Sequence, residues 1–110
     1  TSLTTLNLSF NQLVTLPDTI AALMALKELC LYNNKLVTLP DSIAALTALE
    51  VLNLHTNQLV ALPDSIAALT ALKKLHLYDN PLAKPQSSAV EAWLTALRAG
   101  SCNVEMLRGW

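Results

Sequence analysis

The chain has 110 residues, of which 53% are apolar, 5% aromatic and 14% charged, and its formal net charge is −1. That is the size of one small domain, with a core built from Leu, Ile, Val and Ala rather than from rings. The near-neutral balance offers no basic footprint for nucleic acid, no apolar run reaches the ~18 residues of a membrane span, and the start has no basic-then-apolar signal pattern.

The first segment, Thr1–Phe10, begins inside a strand-like unit with no amphipathic cap ahead of Leu3. Leu3, Leu6 and Leu8 would then have packed chain on one side and water on the other, each forgoing about 1.5–3 kcal/mol of burial. Two expectations follow. Either the chain is a fragment of a longer array, or Leu3, Leu6 and Leu8 form an end-on homodimer contact.

The next strand-like stretch is "LKELCLYNN" at Leu26–Asn34, where Leu29 and Leu31 alternate with polar residues in period two. Such a segment is too short to stand alone. It predicts parallel strands stacked about 4.8 Å apart, each needing a return path. The return path is "LPDSIAALTAL", which occurs identically at Leu39–Leu49 and Leu62–Leu72 and as "LPDTIAALMAL" at Leu16–Leu26. Pro disfavours helix in the Leu before it. Asp18, Asp41 and Asp64 are expected to cap short helical or 3-10 turns. Ile43, Leu46 and Leu49 should point inward, with small Ala pairs such as Ala44 and Ala45 allowing close packing.

Asn recurs at Asn11, Asn34, Asn57 and Asn80, always 23 residues apart. Its short amide both donates and accepts, so stacked copies are expected to form a ladder that satisfies backbone groups where each strand bends away. After the last copy the pattern breaks, with Lys84 before Pro85 where Leu would precede Pro. "SSAVEAWLTALRAG" then predicts a helix over Ser88–Ala99, with Ser88 and Glu91 as a capping box. Val90, Trp93, Leu94 and Leu97 lie on its apolar face, Gly100 stops it at C′, and Trp93 covers the last coil. The tail carries Val104, Met106 and Leu107, as a last extended segment or a linker.

Around each Asn runs L-x-x-L-x-L-x-x-N-x-L, at Leu3–Leu13, Leu26–Leu36, Leu49–Leu59 and Leu72–Leu82. This resembles the leucine-rich repeat family. The closing "L-x-x-L-P" at Leu13–Pro17, Leu36–Pro40 and Leu59–Pro63 is similar to its 23-residue intracellular and bacterial subtypes. The resemblance implies an α/β solenoid, with a parallel sheet on the concave face, helical or 3-10 turns on the convex face and a C-terminal capping helix. Residues 1–85 would form the array of about four repeats and residues 86–110 the cap and tail.

Where the repeats differ is informative. Asn34–Thr56 and Asn57–Asp79 differ at seven positions, five of them in or beside the strand: Glu50/Lys73, Val51/Lys74, Asn53/His76, His55/Tyr78 and Thr56/Asp79. Stacking aligns them in columns: Thr5, Glu28, Val51, Lys74; Asn7, Cys30, Asn53, His76; Ser9, Tyr32, His55, Tyr78; with Phe10, Asn33, Thr56 and Asp79 flanking. The resemblance implies that partners bind this face. Tyr offers wide contact with a polar tip, which points to Tyr32, His55 and Tyr78 as the centre of a contact surface, with Asn53, His76, Glu28, Lys74 and Ser9 around it. The alternative is a solvated surface free to vary.

Chemistry has little to stand on. His55 and His76 fall on neighbouring strands in different columns, about 7–8 Å apart, and Cys30 is two strands from His76, so neither a metal site nor a Cys/His nucleophile pair assembles. The only glycines, Gly100 and Gly109, make no phosphate loop. No cofactor and no catalytic residues are expected. Cys30 and Cys102 lack metal spacing and read as free thiols, which favours a cytoplasmic setting. The expected function is a non-catalytic protein–protein interaction module that takes a protein or peptide on the concave face, as a scaffold in signalling for example. The alternative is a structural or self-assembling repeat that associates through its N-terminal end.

Overall fold

The computed structural model describes residues 3–83, 86–100 and 102–105; Thr1, Lys84, Pro85, Met106 and Leu107, which the sequence reading used, lie outside them. Among the described residues, five strands form one parallel sheet in sequence order: β1 (Thr5–Asn7), β2 (Glu28–Cys30), β3 (Val51–Asn53), β4 (Lys74–His76) and β5 (Asn103–Glu105). Three 3-10 turns, Asp18–Ala22, Asp41–Ala45 and Asp64–Ala68, return the chain between strands, and one helix, α1 (Ser88–Ala99), follows β4. The tail's Val104 thus belongs to a last extended segment, which joins the sheet.

The strands are short because each coil lends only its alternating stretch to the sheet before it bends. Leu29, Leu52 and Leu75 occupy the middle of β2, β3 and β4 in register and are fully buried. They meet Ile43, Leu46 and Leu49 from the return path of one coil and Ile66 and Leu69 from the next, also fully buried. Burying a Leu or Ile side chain contributes about 1.5–3 kcal/mol, so a repeat that supplies several of them makes a core only when its neighbours close both sides.

The return paths begin as expected and are held differently. Pro17, Pro40 and Pro63 stand at the N-cap positions in extended conformation, and no side chain caps the turns. The aspartates therefore do not serve as caps. Each is the first residue of its turn, past the place from which a carboxylate can reach back to the free N–H groups. Instead Asp18 Oδ1 accepts from Ser42 Oγ at 3.4 Å and Asp41 Oδ1 from Ser65 Oγ at 3.1 Å. Asp64 Oδ1 accepts from Ser87 Oγ in the same way. The repeated carboxylates link successive coils along the outer edge.

Asn34, Asn57 and Asn80 form a hydrogen-bonded ladder across the coils. Asn57 Nδ2 donates to Leu54 O of its own coil at 2.9 Å and to Leu31 O of the preceding coil at 3.0 Å, while its Oδ1 accepts from Leu36 N at 3.1 Å. Asn34 and Asn80 repeat all three bonds one coil earlier and one coil later. Asn11 is exposed and, among the described residues, bonds only within its own coil, to Leu8 O at 2.7 Å and Ser9 O at 3.3 Å.

The helix has its predicted bounds but a different N-cap. Ser87, not Ser88, is the N-cap: it is extended, and its Oγ accepts from Val90 N at 3.3 Å. The Glu91 carboxylate passes beyond the cap and accepts from Gln86 N at 3.0 Å. The pull of Asp64 on Ser87 explains the shift, because the cap is also a link to the last return path. Gly100 ends α1 as its C-cap, donating to Ala96 O and Leu97 O, with φ −87° rather than a left-handed value. Trp93 is buried over the last return path and its Nε1 donates to Leu69 O at 2.9 Å.

Gln86 is a closing device that the sequence reading missed. It is buried, accepts from Leu62 N at 3.0 Å through Oε1, and donates through Nε2 to Val60 O at 3.1 Å and Ala83 O at 2.6 Å. Its signal was visible: Gln86 stands in the column of Pro17, Pro40 and Pro63, an amide where the repeat has none.

Candidate functional site on the concave face

The strand register fixes the columns residue by residue. Thr5, Glu28, Val51 and Lys74 align and β5 adds Asn103; Asn7, Cys30, Asn53 and His76 align and β5 adds Glu105. The sequence reading ended both columns at β4. Asn103 and Glu105 could have been found by setting Val104 in the column of Leu6, Leu29, Leu52 and Leu75. Backbone bonds carry the alignment past the strands: Phe10 N donates to Tyr32 O at 3.1 Å, Asn33 N to His55 O at 3.3 Å and Thr56 N to Tyr78 O at 3.0 Å. Ser9, Tyr32, His55 and Tyr78 therefore form one row along the lip of the face.

Three of these rings stack. The Tyr32 and His55 centroids are 4.6 Å apart with the planes at 13°, and those of His55 and Tyr78 are 4.5 Å apart at 5°. These spacings equal the distance between neighbouring strands, so side chains in the same column with matched rotamers meet face to face. His55 Nδ1 lies 3.0 Å from Thr56 Oγ1, which fixes the imidazole between its neighbours. Ser9 has no ring to add. Phe10, next along the chain, takes that place, edge-on to Tyr32 at 5.4 Å and 81°.

The flanking column has a backbone property that the sequence reading did not use. Phe10, Asn33, Thr56 and Asp79 all have φ between 57° and 60°. This left-handed region suits Gly, Asn and Asp and is unfavourable for a β-branched or bulky residue. Asn33 and Asp79 fit the position; Phe10 and Thr56 hold it against their local preference.

The remaining site residues divide. His76 lies beside the stack, its ring 6.2 Å from His55 and 6.0 Å from Tyr78, and its Nε2 is 3.8 Å from Glu105 Oε2. Asn53 donates to Cys30 Sγ at 3.5 Å and leaves Oδ1 without a partner; Ser9 Oγ is likewise unpartnered. Cys30 donates to Glu28 Oε2 at 3.6 Å and is buried, although its column faces outward. Lys74 is exposed and two strands from Glu28, so the two are not brought together.

Electrostatics follow from this packing. Burial pushes the Cys30 thiol up, a change that the Asn53 hydrogen bond opposes and Glu28 reinforces. Cys30 is therefore a protonated, unbridged thiol at neutral pH, and Cys102, also free and buried, is raised by desolvation alone. Burial between the tyrosines lowers the His55 pKa, His76 lowers it further, and Asp79 and Glu105 pull the other way. His55 is thus neutral at pH 7. Among the described residues the face is open, with no enclosed cavity and no gathering of three or more His, Cys, Asp or Glu side chains able to hold a metal.

A surface of this kind, on a stack of 23-residue coils, can be compared with known proteins. A leucine rich repeat family model matches residues 1–59 and, overlapping, 26–82. Comparison with curated proteins finds none that matches. Among solved structures, a leucine-rich repeat protein of Leptospira interrogans is similar over 94% of this chain, with 36% sequence identity and a TM-score of 0.82. An internalin of Listeria monocytogenes is similar in fold over 96% of the chain, with 20% identity and a TM-score of 0.71. The chain spans 25% and 30% of the length of those two proteins. With the four in-phase asparagine repeats and the parallel solenoid they build, these matches place the chain in the leucine-rich repeat family, in its bacterial-type 23-residue L-x-x-L-P form.

Proposed function

We propose that this chain is a non-catalytic protein–protein interaction module and that it binds a protein or peptide through its concave face. The observation that carries this reading is the concentration of repeat-to-repeat variation in columns that the sheet register brings onto one open surface. The return path, by contrast, repeats almost unchanged. Family membership supports a protein partner, since such repeats are typically interaction scaffolds rather than enzymes. Tyr32, His55 and Tyr78 form the centre of the contact, with Asn53, His76, Glu28, Lys74 and Ser9 around it. Aromatic side chains held rigid by stacking lose little conformational freedom on binding, which suits them to contact energetics.

The test is a capture experiment with the chain beside its Tyr32→Ala/His55→Ala/Tyr78→Ala variant, matched for folding by circular dichroism. A partner held by the parent and lost by the variant supports the reading; identical profiles from the two would refute it. A second reading, end-on association through Leu3, Leu6 and Leu8, is favoured by their incomplete burial, which contrasts with the full burial of Leu29, Leu52 and Leu75. It predicts a concentration-dependent mass in sedimentation that a charge at Leu6 abolishes.

A further inference from the structure

We propose that the lip row Phe10–Tyr32–His55–Tyr78 receives an extended basic peptide, with an apolar side chain against Phe10 and an arginine or lysine at the other end, beside Asp79 and Glu105. This rests on the concave-face reading and adds the chemistry of the partner.

Phe10 gives the first argument. It is 74% exposed, sits at φ 60°, and makes its ring contact edge-on to Tyr32. Neither local conformation nor burial favours Phe there: the same position holds Asn33 and Asp79 elsewhere, residues suited to a left-handed backbone. A residue that conflicts with its backbone and leaves its ring in water is the kind found at contact sites. The ring extends the lip row to four members, and Phe10 is its hydrophobic end.

The row's length sets the form of the ligand. Its four rings span three strand spacings, about 14 Å, which an extended peptide covers in about four residues. Charge sets the other end. Asp79 follows Tyr78 directly in the chain, and Glu105 Oε2 lies 3.8 Å from Nε2 of His76, whose ring is 6.0 Å from that of Tyr78, so both carboxylates stand at the Tyr78 end of the row. Both are exposed. The lysines among the described residues stand elsewhere. Lys27, Lys73 and Lys74 lie at or before the starts of β2 and β4, on the opposite margin, and Lys73 is 3.7 Å from Glu50. Lys35 lies two coils from Tyr78. The lip therefore has an aromatic end and an acidic end.

The experiment is an NMR titration of isotope-labelled chain with acetyl-Leu-Ala-Ser-Ala-Arg-amide and its reversed sequence, against the same peptides with Glu in place of Arg. Expected are saturating millimolar shifts at Phe10, Tyr32, His55 and Tyr78, with at least one Arg peptide binding about threefold or more tighter than its Glu counterpart, the effect of one exposed ion pair. Phe10→Asn should weaken binding about threefold to fivefold while leaving the denaturation midpoint unchanged or higher; a purely structural Phe10 would lower the midpoint and leave binding alone. Asp79→Asn/Glu105→Gln should abolish the preference for Arg. Equal binding of Arg and Glu peptides, shifts away from the lip, or no shifts at all would overturn the proposal. If the triple variant still loses its captured partner while the Arg peptides fail, the concave-face reading stands and the basic-partner inference falls.

Discussion

Replacing Asn57 by Ala removes three buried hydrogen bonds at once, with a fourth, part-buried one to His55 O at 3.3 Å, and the structure says what the buried ones leave behind. Leu36 N loses its acceptor, while Leu31 O and Leu54 O each lose one of two donors and keep Nδ2 of Asn34 and Asn80 respectively. All three leucines are fully buried. At a net contribution of about 1 kcal/mol per bond, the loss is about 3 kcal/mol. Asn11 provides an internal control. It has no preceding-coil carbonyl and no N–H to accept from among the described residues, and its two bonds are exposed. Asn11→Ala should therefore cost less than about 1 kcal/mol. Urea denaturation followed by circular dichroism gives both values from the midpoint and slope. A common slope shows that the whole solenoid is being compared rather than one frayed coil. Equal losses at Asn11 and Asn57 would refute the reasoning, because they would make the Asn a local turn-former and the ladder across coils irrelevant.

Thr56 is β-branched at φ 59°, so Thr56→Gly should stabilise by about 1 kcal/mol and raise the melting temperature by a few degrees; a lower midpoint would mean that its bond to His55 outweighs the strain. For His55 the folded pKa is lowered by burial and by His76, so the unfolded chain binds more protons between that value and the ordinary one near 6.5. Stability is then greatest above about pH 6.5 and falls as pH drops below it. His55→Gln should flatten that part of the profile of denaturation midpoint against pH, and an unchanged slope would refute the assignment. Ser87→Ala should cost about 1 kcal/mol through the lost N-cap and more through the lost link to Asp64, while Ser88→Ala should change the midpoint little; the reverse order would return the cap to Ser88. His55→Ala removes two stacked contacts and Tyr78→Ala one, at about 0.5–1.5 kcal/mol each, so the middle ring should be the costlier loss in thermal melts.

The repeat made most of the fold legible. Period two around Leu29 and Leu31, Pro at the start of each return path and Asn every 23 residues specify strand, turn and ladder; the first two are local enough to read from a single copy, and the third shows as soon as the copies are aligned. What escaped was set by contacts between copies. The aspartates look like caps because Asp before a short apolar stretch usually caps; the partner that takes them instead, a Ser in the next coil, lies 23 or 24 residues away. The N-cap moved from Ser88 to Ser87 for the same reason. The left-handed column was hidden because two of its four members, Phe10 and Thr56, contradict the preference that would have revealed it. Nor does constancy between copies mark the core: Val14, Val37 and Val60 are the same in three coils and exposed. The columns of the candidate site followed from register alone, but the stacking of Tyr32, His55 and Tyr78 needed side-chain orientation, which no spacing rule supplies.

One distance ties the fixed and variable parts of this chain together. Parallel strands recur every ~4.8 Å, and at that spacing inward side chains must interlock with the coils on both sides. A changed Leu or Ile in one return path would leave a gap against two neighbours, at about 2–5 kcal/mol for a truncation to Ala. The same distance equals the separation of stacked rings, so an aromatic residue in any lip position finds a ready partner if the adjacent coil carries one. The lip is thus a place where Tyr, His and Phe can be exchanged or added coil by coil at little risk to the core, each new ring being pre-ordered by its neighbour. Variation concentrates in the concave columns because a changed side chain there meets its counterparts on two strands and, beyond them, open solvent.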